Sequence, residues 1–165
     1  MRKLGIIAVL SMLVVALAAV PALAQNPHFA TGAEAPVCTL DAAGTTVSCT
    51  GTDIAGVGNA NAVATLTVTA SADILCHNPG NQKVVEPHTT TFSDTTSSGI
   101  IEAKNGRLLV PPLSETVTPA DVTPDVFTCP NPNWTAETTD VTITSFTYDI
   151  TFVGETEPFF TVSGP

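Results

Sequence analysis

Residues 62–76 read AVATLTVTASADILC, and this stretch decides the fold. Counting from Ala62, every second side chain is small or apolar, while most of the side chains between them carry a hydroxyl group. Successive side chains of a strand point to opposite faces, so a period of two predicts one buried and one solvated face. This pattern is typical of an antiparallel sheet that covers a core on one side only. We expect a core strand here, with Cys76 on its apolar face.

The chain on either side of this strand alternates in the same way. Residues 82–92 predict a strand that Pro87 confines to a sheet edge, followed by a polar loop over 93–99. Asn105-Gly106 suits a type I′ turn and predicts a hairpin over 99–110 that pairs Ile101 with Val110. In the last segment the apolar positions change phase after Ile143, which predicts a β-bulge near Thr144-Ser145.

The first two cysteines fall on a predicted hairpin. If Ala43-Gly44 form a two-residue turn, Cys38 lies directly opposite Cys49, about 5 Å away at Cα, within reach of a disulfide. A four-residue loop over 41–44 is the alternative, and it would shift this register.

The N-terminus has the three parts of an export signal. Arg2 and Lys3 are followed by an apolar run over 4–20, Pro21, and the small-x-small site Ala22-Leu23-Ala24. We interpret residues 1–24 as a cleavable, helical signal peptide, with an uncleaved membrane anchor as the alternative. Export predicts an oxidising compartment, in which four cysteines form two disulfides rather than a metal site.

These patterns predict an all-β fold, an antiparallel immunoglobulin-like β-sandwich of about 7–9 strands. Residues 25–34 are expected to form a flexible lead and residues 35–165 a single domain. In such a sandwich, a disulfide between Cys76 and Cys129 would bridge the two sheets.

The charge of the exported chain limits its partners. After cleavage only Lys83, Lys104 and Arg107 oppose the 15 acidic residues, a formal charge of −12. Such a surface repels phosphate backbones and anionic lipids, so we expect no nucleic-acid partner and no membrane association after cleavage. The expected location is secreted, or in the cell envelope or periplasm.

Three short motifs resemble those of a group of small secreted bacterial proteins. They are Cys76-His77-Asn78-Pro79-Gly80-Asn81, Lys104-Asn105-Gly106-Arg107 and Cys129-Pro130. The resemblance covers residues 62–153 and implies secretion, a β-fold and a Cys76–Cys129 pair. It carries over no activity and does not include Cys38 and Cys49, whose bridge rests on the register argument.

Catalytic chemistry has little support in the sequence. There is no Gly-x-Ser-x-Gly elbow, and His28, His77 and His88 lie in the lead or beside turns and a proline. With all cysteines paired, no thiol nucleophile remains. We therefore predict no enzyme, no metal and no cofactor, with a small hydrolase as an unfavoured alternative.

The sequence instead favours a non-catalytic binding or envelope-associated module with a protein or glycan partner. The alternative is a subunit of a surface fibre or adhesin that assembles by edge-strand pairing. Loops are the usual carriers of binding residues, and two lie next to the expected Cys76–Cys129 bridge. Their candidate binding residues are His77, Asn78, Asn81, Asn131, Asn133 and Trp134.

Overall fold

The computed structural model describes residues 26–80 and 83–165, so the predicted signal peptide and Asn81 lie outside the described residues. Among the described residues, no helix has the length and apolar character needed to cross a membrane. The strands are β1 (His28–Phe29), β2 (Cys38–Leu40), β3 (Thr46–Cys49), β4 (Thr52–Ala55), β5 (Ala62–His77), β6 (Lys83–Ile101), β7 (Arg107–Val110), β8 (Leu113–Thr116), β9 (Thr135–Phe152) and β10 (Phe160–Gly164), with one 3₁₀ turn at Pro119–Asp121.

The central strand β5 belongs to a four-stranded antiparallel sheet of order β10-β9-β5-β6. From Ala62 to Cys76 every second residue of β5 is fully buried, and the residues between them face solvent to varying degrees. The alternation in the sequence is therefore confirmed, including the placement of Cys76 on the buried face.

The predicted bulge in β9 is also confirmed. Thr69 lies opposite Ser145 and Ala70 opposite Ile143, so Thr144 is the extra residue. Its hydroxyl donates a hydrogen bond to the Thr69 carbonyl at 3.1 Å. This bulge keeps both apolar phases of β9 on the core side, because the extra residue restores the face after Ile143.

The two three-stranded sheets, β1-β4-β7 and β2-β3-β8, form one bent ribbon, which is the second layer of the fold opposite the four-stranded sheet. β3 pairs with β8 and β4 pairs with β7, and the register runs on unchanged from Cys49–Leu113 to Thr52–Val110. Between these pairs, Thr50-Gly51 lie opposite Pro111-Pro112. The ladder breaks here because proline has no amide hydrogen to donate.

Both layers share one hydrophobic core. Its buried side chains come from β3, β4 and β7 on one side and from β5 and β9 on the other. Strands β1 and β2 lie along the remaining side of the ribbon, next to β4 and β3. In immunoglobulin lettering the layers are A-B-E (β1/β2, β3/β4, β7/β8) and G-F-C-C′ (β10, β9, β5, β6). The predicted all-β antiparallel sandwich is confirmed.

Both predicted disulfides are present, Cys38–Cys49 and Cys76–Cys129. Cys38 lies directly opposite Cys49, as the register argument predicted. The predicted two-residue turn was wrong, since the Gly44 amide donates to the Asp41 carbonyl and Asp41 pairs with Thr46 across a four-residue loop. The Asp41 carboxylate closes this loop, and hydrogen bonds from the Thr46 and Thr45 amides lower its pKa.

Three other expectations differ from the structure. The predicted loop over 93–99 is part of β6. Cys129 lies between the 3₁₀ turn and β9, outside any strand, so its disulfide ties β5 to a connection and does not bridge the two sheets. Within the predicted lead, His28–Phe29 form β1 and pair with β4, so this part is joined to the domain.

The predicted hairpin over 99–110 is correct only at its turn. Asn105 and Gly106 both have positive φ, and Lys104 pairs with Arg107. Beyond that pair the chains separate, since Ile101 pairs with Ala62 in β5 while β7 pairs with β4.

Tyr148, the only tyrosine, is fully buried on β9. Within the described residues its hydroxyl has no hydrogen-bond partner. Burial raises its pKa to about 12, because the phenolate is poorly solvated in the core.

We expect the absorbance of the native protein to show this tyrosine ionising near pH 12, against about 10 after unfolding in urea. Because the pKa of Tyr148 is higher in the folded than in the unfolded protein, the stability that depends on its protonated hydroxyl is fully present below pH 10. That contribution disappears as the pH rises through the folded pKa. Spectrophotometric titration of native and unfolded protein measures both values, and a native midpoint near 10 would contradict the burial of this hydroxyl.

Candidate functional site

An open cleft of about 640 Å³ lies where the end of β6 approaches β7. One edge of each layer contributes to it, together with the turn that joins them. The lining residues are Asp53, Ile100, Ile101, Glu102, Lys104, Arg107 and Leu109.

Two large aliphatic side chains of the cleft face solvent. Leu109 is 75% exposed and Ile100 is 67% exposed, the two highest values among the exposed large hydrophobic residues described. Leu109 is exposed because it alternates with Leu108 and Val110, which are buried in the core. Exposed aliphatic side chains that lie together on a surface typically mark an interaction site.

The cations of the cleft differ in their contacts. The Arg107 guanidinium binds both carboxylate oxygens of Asp53 on the neighbouring strand β4, and the Nε–Oδ1 distance is 3.1 Å. This hydrogen bonding raises the pKa of Arg107. Lys104 forms no ion pair among the described residues. The cleft therefore offers one ammonium group that is available to an anion.

The sequence-predicted loops lie together at another part of the fold. His77 ends β5 and pairs with Thr135, the first residue of β9, and the Cys76–Cys129 disulfide joins the same region. The His77 Nε2 atom lies 2.5 Å from a carboxylate oxygen of Glu137. The structure thus brings residues 77–80 close to the segment before β9.

The other predicted binding residues that the structure describes form hydrogen bonds within their own turns. The Asn78 side chain accepts from the Gly80 amide at 3.2 Å, and that of Asn131 accepts from the Asn133 amide at 3.0 Å. Trp134 is half-buried, with its amide bonded to the Asn131 carbonyl. These bonds hold the turns in shape, and whether a partner contacts them stays a prediction.

The histidines lie in three different environments. The His28 ring contacts the Asn26 carbonyl, His77 contacts Glu137, and the His88 ring lies 5.2 Å from that of Phe127. In the described part of the chain, acidic, histidine and cysteine side chains do not gather into a group of three able to hold a metal.

Comparison of the chain with protein-family models, with curated proteins and with solved structures finds no match in any of the three. The geometry of the chain itself therefore carries the functional argument.

Sequence reasoning missed the cleft residues. Leu108-Leu109-Val110 and Ile100-Ile101 are the only signal, since an uninterrupted apolar run on a half-buried strand must expose one of its members. Asp53 belongs to no motif in the sequence, and its contact with Arg107 depends on the pairing of β4 with β7, which are far apart along the chain.

Proposed function

We propose that the protein is an exported, non-catalytic binding module and that the cleft between β6 and β7 is its ligand site. The carrying observation is the pair of exposed side chains, Ile100 and Leu109, next to Lys104 and Arg107. Two of the three cations of residues 25–165 line this one cleft, although the chain carries 15 acidic residues. A ligand with both apolar and anionic groups suits these surroundings.

Binding of anilinonaphthalene sulfonate, an apolar anion, tests this proposal. We expect the native protein to bind the dye, because the aliphatic side chains accept its rings and Lys104 attracts its sulfonate. The double variant Ile100→Thr/Leu109→Thr should lose most of the fluorescence increase. Both side chains are mainly exposed, so the melting temperature should change little.

The matched control is Val37→Thr/Val153→Thr, which removes two other exposed aliphatic side chains, each 56% exposed. This control should retain dye binding. Equal loss of fluorescence in both double variants, or no dye binding by the native protein, would contradict the proposed site.

Two disulfides indicate an oxidising environment, either extracellular or periplasmic. Secretion is supported by the export signal in the sequence. Intact-mass spectrometry of the protein from the culture medium should give a chain that begins at Gln25. Protein that is found instead in the membrane fraction, with a mass that includes residues 1–24, would favour the anchored form.

One observation favours the second candidate, a fibre or adhesin subunit. β6 is a 19-residue strand at the edge of its sheet, and residues 89–98 contain one charged residue and no proline. Exposed edges of this kind pair with other chains unless charge or proline blocks them. Size-exclusion chromatography with light scattering distinguishes the candidates, since a monomer at high concentration excludes assembly through β6.

A further inference from the structure

The open side of β7 is a position that constant-type immunoglobulin sandwiches fill with a strand. Their sheet has the order A-B-E-D, so strand D lies beside strand E. In the described residues of this chain, β7 pairs with β4 alone. The position beside β7 is therefore vacant, and the cleft borders it.

The backbone of Leu109 points into this vacant position. The Asp53 carbonyl accepts from the Ala30 amide at 2.9 Å, so the polar groups of Asp53 face β1. Backbone groups alternate in direction along an antiparallel strand, which turns those of Thr52 and Ile54 towards β7. Leu109 lies opposite Asp53 and consequently directs its N–H and C=O away from β4.

The same reasoning applies to Ile100 across the cleft. The Asn61 carbonyl accepts from the Val153 amide, so Asn61 faces β9 and the next residue, Ala62, faces β6. Ala62 pairs with Ile101, which leaves the backbone groups of Ile100 directed away from β5. The cleft thus presents open main-chain groups at the same two residues whose side chains are exposed.

We propose that the cleft takes an extended peptide segment of a partner protein, which adds as a strand beside β7. Apolar side chains of the segment would cover Ile100 and Leu109, and a carboxylate of the segment would pair with Lys104. In this mode of recognition the main-chain hydrogen bonds supply affinity and alternate side chains supply specificity. This inference rests on the proposed function and names the ligand class of its site.

Two features keep the added strand short. The N–H and C=O of Arg107 are already bonded to Lys104, at 3.1 and 2.8 Å. On the other side of Leu109, Pro111 has no amide hydrogen. The main-chain pairing is therefore centred on Leu109, and the partner side chains contribute a large share of the affinity.

The probe is a short peptide amide that alternates valine and threonine, carries one glutamate and bears an uncharged coumarin fluorophore on its N-terminus. Its binding is titrated by fluorescence anisotropy. Methylation of its backbone nitrogens should weaken binding about tenfold or more, because the hydrogen bonds to β7 are lost. Lys104→Met should weaken binding of the glutamate peptide and leave unchanged the binding of a matched glutamine peptide.

The outcomes separate the two proposals. If the native protein binds the dye at Ile100 and Leu109 but not the peptide, or binds the methylated peptide equally well, the peptide inference is overturned and the proposed site stands. If it binds neither dye nor peptide, both are overturned. Self-association that the peptide displaces would show that a second copy occupies the cleft, which overturns the assignment to a partner protein.

Discussion

The double variant Cys76→Ala/Cys129→Ala is expected to lose about 4 kcal/mol of unfolding free energy. The two cysteines are 53 residues apart, so their disulfide restricts a long segment of the unfolded chain that includes β6, β7 and β8. Cross-linking removes more entropy from the unfolded state when the closed loop is longer. A loss of this size is a large part of the 5–15 kcal/mol typical of a domain.

Urea unfolding of the oxidised protein, followed by the fluorescence of the single tryptophan, measures this loss. The matched control is Cys38→Ala/Cys49→Ala, which opens a loop between residues only 11 apart and is expected to cost about 3 kcal/mol. If the control loses more unfolding free energy than the Cys76/Cys129 variant, the entropy of the unfolded chain does not decide which disulfide stabilises the protein more.

Local patterns predicted the parts of the fold in which neighbouring residues decide the structure. The inward face of β5 follows from one unbroken alternation, and the Thr144 bulge follows from one change of phase in β9. The pairing of Cys38 with Cys49 survived a wrong turn type. The observed four-residue loop over 42–45 has the same centre, Ala43-Gly44, as the predicted two-residue turn, so Leu40 stays opposite Val47 and the register is unchanged.

The sequence was less informative for β6, since both of its faces carry hydroxyl side chains over 93–99. Such a run has no apolar phase and looks like a loop, although it is held as a strand by pairing with β5. The strand with which β7 pairs is likewise set by the tertiary structure. Asn105-Gly106 specified the turn, but β7 leaves the hairpin because Leu108 and Val110 are buried against the core beside β4.

The cleft depends on that separation of β6 from β7, so it could not be predicted from the sequence. Ile100 and Leu109 would lie on one hairpin if the predicted pairing of Ile101 with Val110 had continued. In the structure they belong to opposite layers, and the space between the layers is what a ligand can occupy.

Gly51→Ala is expected to destabilise the protein by about 2–3 kcal/mol, because a methyl group has no room at this position. A Cβ atom here would lie 2.6 Å from the Val110 carbonyl oxygen, 3.1 Å from the Pro112 nitrogen and 3.2 Å from the Pro111 carbonyl carbon. All three are backbone atoms, so a side-chain rotation cannot relieve the contact. The ribbon must instead separate at its bend, which disturbs the register on both sides of the break.

The matched control is Gly80→Ala, where the nearest atom to an added Cβ is a side-chain oxygen of Asn78 at 3.5 Å. That is an ordinary contact distance, so this variant should unfold within about 0.5 kcal/mol of the native protein. Thermal unfolding of the two variants compares the same change of glycine to alanine in crowded and in open surroundings. Equal melting temperatures would show that the β3/β4 and β7/β8 strands can move apart at Pro111-Pro112 without loss of pairing. A lower melting temperature for Gly51→Ala alone would establish that the second layer depends on the close approach of its own backbone segments at this bend.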